Sequence, residues 1–137
     1  MFWFSSPVVH GAVAILTRMA VACAGLLLAG CAPAATSDAR AVADRFVAGS
    51  GQCALLSPGA LEKLADQDPR PCQEALGSLG IPHQPVSDVQ VWGDEAQART
   101  GADVLFLHEF PDGWRVTGAG CRPRGEDQPY QCAVDGT

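Results

Sequence analysis

Ala39, Val42, Ala43, Phe46 and Val47 recur at the i, i+3, i+4, i+7, i+8 spacing of an amphipathic helix. Ser37 or Asp38 can cap such a helix and Gly49 can end it, so the spacing predicts a helix from about Ser37 to Val47. Ser57 and Pro58 then read as a cap and first-turn pair, with Leu61 and Leu64 on one face of a short second helix. Pro71 opens a third helical piece that ends at Gly80. From Ile81 the period drops to two. Segments 87–93, 95–100, 102–110, 114–121 and 129–136 read as five strands, the polar 95–100 at an edge, and Pro111-Asp112-Gly113 as a hairpin turn. Helices first and an antiparallel meander after them predict an α+β domain: two to three helices packed on a curved antiparallel sheet of about five strands. No repeat or second domain is visible.

The strand 102–110 is apolar on both faces, with Val104, Phe106 and Phe110 on one side and Leu105 and Leu107 on the other. Such a strand is covered on both faces. Helices supply one cover; the other is plain core from tail and loops, a partner protein, or a small ligand in a pocket. Phe106, His108, Trp114 and Tyr130 are the candidate pocket residues. His108 shares a strand face with Phe106 and could act as a general base, and Tyr130, the only tyrosine, could donate to a ligand. The bland reading of each is structural, as it is for His83 in its proline-flanked loop and for Trp92 beside Trp114.

The N-terminus changes the setting. Arg18 precedes the apolar run Met19–Gly30, which has a length suited to a secretory signal helix and is too short for a spanning helix of about 20 residues. Leu28-Ala29-Gly30-Cys31 matches the lipobox of bacterial lipoproteins, so residues 1–30 resemble a lipoprotein signal peptide. The resemblance implies diacylglycerol on the Cys31 thiol and cleavage between Gly30 and Cys31. Residues 31–37 would be the lipidated N-terminus and an extended linker, and 38–137 the domain. Residues 1–17 hold no basic residue, which suggests translation starting nearer Leu16 or Met19. The partners are then the lipid bilayer through acylated Cys31 and an envelope protein or small ligand, on the extracytoplasmic face of the cell membrane.

Charge narrows this further. Arg18 is the only charged residue in the first 30, so beyond it eight Lys/Arg face fifteen Asp/Glu, a charge of −7. An acidic domain without a basic stripe does not suit nucleic acid. It is also repelled by anionic headgroups, so lipid alone would hold it at a membrane.

Cys53, Cys72, Cys121 and Cys132 remain in the domain. An even count in a small exported domain reads as two disulfides, with three connectivities open. The spacings of 19, 49 and 11 residues do not suit zinc, and no metal or cofactor is expected. The sequential pairs Cys53–Cys72 and Cys121–Cys132 are preferred, since each lies inside one local unit.

The Cys-Ala-Leu-Leu segment with its Ser-Pro-Gly turn (Cys53 to Gly59), Gly113 to Val116, Gly120 to Pro123 and Pro129 to Cys132 resemble a group of small actinobacterial lipoproteins. The absence of asparagine, the single Lys63 and the two isoleucines also suit a GC-rich source. The resemblance implies location and disulfides, and carries no activity. In element order alone the chain is similar to NTF2-like and cystatin-like folds. There is no GxSxG elbow, P-loop, HExxH, EF-hand loop or GxGxxG. The expectation is a non-enzymatic binding or interaction module, with a small NTF2-like pocket enzyme using His108 as base the alternative.

Overall fold

The computed structural model describes residues 31–49 and 51–136, the first three by backbone alone. The signal helix, Gly30 and the suggested translation start lie outside these residues. Among the described residues four helices precede five strands: α1 (Cys31–Val47), α2 (Gln52–Leu55), α3 (Pro58–Gln67), α4 (Cys72–Ser78), β1 (Val86–Trp92), β2 (Glu95–Thr100), β3 (Asp103–Phe110), β4 (Gly113–Cys121) and β5 (Val134–Asp135). The class is α+β, with four helices instead of two or three, because a separate short turn, α2, carries Cys53. Among the described residues no helix is long and apolar enough to cross a membrane.

α1 is already helical at the first described residue, Cys31, six residues before the expected cap, so the segment expected as an extended linker is helical. Alanines at 32, 34 and 35 favour helix, and Pro33 falls in the first turn, where its missing N–H costs nothing. Ser37 does not cap: its hydroxyl donates back to the Ala34 carbonyl over 2.8 Å. The far end is as expected, with Gly49 at φ 82° and its amide on the Phe46 carbonyl. Ser57 caps α3, its Oγ accepting from the Ala60 amide over 3.1 Å. At the other end of α3, Asp68 accepts from the backbone and guanidinium of Arg70 and, over 3.4 Å, from the Ser78 hydroxyl of α4. The Arg70 hydrogen bonds hold the Asp68 carboxyl down at about 2.

The sheet is antiparallel throughout, in the order β1-β2-β3-β4-β5. β2 is therefore interior and β1 takes the edge, a correction to the edge position expected for 95–100. The side chains explain it: Ala96 and Ala98 are buried, and their small size lets helices lie close over the middle of the sheet. The last strand is shorter than expected. Residues 122–133 form a loop closed by paired Arg122 and Gln131 backbones, and only Val134 and Asp135 pair with β4.

Helical side chains build the core on one face of the sheet, while α2 sits at the β4 edge, where Leu56 bridges Val116 and Arg115 donates to the Ala54 carbonyl. α1 contributes Ala39, Val42, Ala43 and Phe46, α3 contributes Ala60 and Leu64, and α4 contributes Ala75 and Leu76. They meet Leu105 and Leu107 of β3, Trp114, Val116 and Ala119 of β4, and Val134 of β5. Leu107 and Val116, paired across β3 and β4, are both fully buried. Two disulfides close the structure in the preferred sequential pairing: Cys53–Cys72 joins α2 to α4, and Cys121–Cys132 joins the end of β4 to the returning tail. Each is worth roughly 3 kcal/mol on the chain-entropy account. The tail also presses on α3. A Cβ on Gly59 would lie 2.7 Å from the Gly136 carbonyl oxygen, and one on Gly136 would collide with the Ala60 backbone nitrogen.

Candidate functional site

Strand register decides which side chains share the face away from the helices. Trp92 pairs with Glu95, Glu95 with His108 and His108 with Arg115, giving one cross-strand row at the end of the sheet that bears the Gly93-Asp94 turn. The next row runs from Gln90 through Gln97 to Phe106 and Gly118. Tyr130, on the returning loop, lies over this second row. Its ring meets that of Phe106 edge-on at 5.2 Å, and its hydroxyl accepts from Gln97 Nε2 over 3.2 Å. The Cys121–Cys132 disulfide closes the same corner, since a Cβ on Gly118 would touch both sulfurs and the Phe106 ring. Loop and disulfide thus cover half of the outer face.

The other half is open. Trp92 stands 55 % exposed, the only large hydrophobic side chain exposed among the described residues. His108 is half-buried, its ring edge-on to Phe110 at 4.7 Å and its Nδ1 2.6 Å from Glu95 Oε1. Asp94, held by the hydrogen bond from the Glu109 amide to its carbonyl, brings a second carboxylate to the pair. The ligand atoms of Asp94, Glu95 and His108 lie within 4.8 Å of one another. An imidazole beside two exposed carboxylates can hold a proton or a divalent cation at the surface.

The four candidate pocket residues therefore separate. Phe106 and Tyr130 touch, and His108 lies one row away on the same face. Trp114 is on the opposite face, buried in the core with its Nε1 unpartnered. The cause is the turn. Phe110 pairs with Gly113, so Trp114 pairs with Glu109 and takes the helix side. His83 is structural, its Nδ1 2.8 Å from the Val47 carbonyl oxygen at the end of α1.

At the other end of the sheet lies a cleft of about 390 Å³ that sequence reasoning missed. Leu79, Ile81 and Pro82 of the α4–β1 connection form one side, and Gln131 to Ala133 of the tail another. Asp103, only 3 % exposed, accepts from Arg122 Nε on Oδ1 over 2.8 Å, while its Oδ2 is buried without a partner. The one available signal was an aspartate directly before four apolar residues, Val104 to Leu107. Cys31, the candidate lipid-attachment residue, lies in α1. No known family, curated protein or solved structure matches the chain.

Proposed function

We propose that the chain is a lipoprotein of the extracytoplasmic face of the cell membrane, anchored through acylated Cys31, whose disulfide-braced α+β domain acts without catalysis as a binding or interaction module at the cell envelope. The observation that carries this reading is the pairing of all four domain cysteines into two disulfides. Disulfides of this density belong to oxidising compartments. The binding role draws on the open half of the outer face, where Trp92 stands beside Glu95 and His108, and on the cleft lined by Asp103 and Arg122.

The alternative, a small NTF2-like enzyme with His108 as base, has one point in its favour: Glu95 is placed to orient the imidazole. Against it, the pair lies on an open face, and Trp114 is turned away from it.

Intact mass of the membrane-extracted protein, before and after reduction, tests the proposal. A chain starting at Cys31 with diacylglycerol added, and two hydrogens gained per disulfide on reduction, is the expected result. A mass without lipid would remove the anchor from the proposal.

A further inference from the structure

We infer that Asp94, Glu95 and His108 form a binding site for one divalent transition-metal ion of the zinc, copper or nickel kind. This rests on the binding role given above to the open half of the outer face, and names its ligand.

The hairpin of β2 and β3 builds the site. Asp94 and Glu95 are adjacent, and His108 lies 13 residues beyond Glu95, so no metal-binding spacing announces the set. Register brings Glu95 and His108 opposite each other, with Oε1 2.6 Å from Nδ1. The Glu109 amide donates to the Asp94 carbonyl over 2.7 Å, which fixes the turn against β3. The His108 ring is braced by its edge-on contact with Phe110. Two paired strands therefore set the ligand backbone, and only side-chain torsions remain to be ordered by an ion. Each of the three residues offers one ligand atom, all within 4.8 Å of one another. Ligands bonded at about 2.0–2.2 Å stand roughly 3–4 Å apart around an ion. Both carboxylates are exposed, so small rotations close the set while His108 stays in place.

The donors decide the metal. Two exposed carboxylates alone make no site; the half-buried imidazole adds the nitrogen that zinc, copper and nickel favour. Calcium takes about six to eight oxygens, more than this corner supplies. Two carboxylates and a neutral imidazole balance the charge of a dication. Arg115, the register partner of His108 on β4, does not compete for them, because its guanidinium donates to Asp112 and to the Ala54 carbonyl. The remaining positions on the ion are left to water.

Trp92 gives the site a reporter. It pairs with Glu95 across β1 and β2 and is exposed, whereas Trp114 is buried on the opposite face. A paramagnetic ion held by Glu95 and His108 should quench Trp92 first.

The test uses the full-length chain matured in cells, purified from membranes in detergent, stripped with EDTA and dialysed. Titration calorimetry with Zn2+ should show one ion per chain, and Ni2+ should quench the indole emission. Loss of a mere supporting contact typically costs about 10–100-fold in metal affinity. Asp94→Asn and Glu95→Gln should therefore each weaken Zn2+ binding by about 10-fold or more, and His108→Ala should abolish it. Trp92→Phe should remove the Ni2+ quenching. His83→Gln, on the α4–β1 connection, should bind Zn2+ as the parent does. Zn2+ binding that survives His108→Ala and Glu95→Gln, or that is lost in His83→Gln, overturns the site. No Zn2+ uptake by the parent overturns it too while leaving the anchor, which the intact mass decides separately.

Discussion

Glu95 and His108 face each other across β2 and β3, the carboxylate Oε1 2.6 Å from the imidazole Nδ1. The carboxylate is well exposed, and water screens most of what so close a contact gains. Exposed pairs of this kind contribute about 0–1 kcal/mol. His108→Ala should therefore shift the urea unfolding midpoint only slightly. A loss of several kcal/mol would show that this row of the sheet is part of the core.

Phe46 behaves differently. It is 1 % exposed at the last turn of α1, and it is the largest fully buried side chain among the described residues. Truncating such a residue costs about 3–5 kcal/mol, lost transfer plus cavity. Phe46→Ala should thus remove much of the 5–15 kcal/mol typical of a whole domain. An unfolding free energy within 1 kcal/mol of the parent protein, on the order of an exposed-site change, would contradict the packing of α1 on the sheet.

The tail supplies a backbone test. Gly136→Ala would drive a methyl into the Ala60 backbone, from which it has no room to turn. Overpacking of this kind costs typically 1–3 kcal/mol. The loss should appear first as faster amide exchange in β5 and the first turn of α3. Unchanged exchange there would mean that the tail does not press on α3.

Asp68 sets an acid limit. Hydrogen bonds from the Arg70 side chain and backbone hold its carboxyl at about 2, below the usual 3.8. A carboxyl lowered on folding stabilises above its unfolded pKa, and that contribution fades as pH falls from about 4 towards 2. Asp68→Asn should flatten the part of the stability–pH curve in this window. An unchanged slope would remove the pair from the acid response.

These elements were not equally legible. Ser57-Pro58, Gly49 and Pro111-Asp112-Gly113 announce themselves, because each supplies a local hydrogen bond or dihedral that no distant residue has to complete. The disulfide pairing follows from the same locality. The start of α1 was hidden because Pro33 and the run of small residues to Ser37 also read as a linker, although the alanines favour helix. β2 looked like an edge because Ala96 and Ala98 carry little hydrophobic signal, although their smallness is what suits the centre. The face of Trp114 depended on a loop of two residues against three, and a one-residue change of register reverses every side chain. Asp103 and Arg122 meet only through tertiary structure, nineteen residues apart.

The sheet order also has a consequence in time. Every strand pair joins neighbours in sequence, so the hairpins close locally and quickly. α1 is made before the sheet, yet it packs on β1 and on β4, whose residues run to Cys121. Its apolar stripe must stay uncovered until most of the polypeptide has followed. A nascent chain built this way cannot complete its fold early, and a chain that must be threaded in extended form before folding gains from that delay.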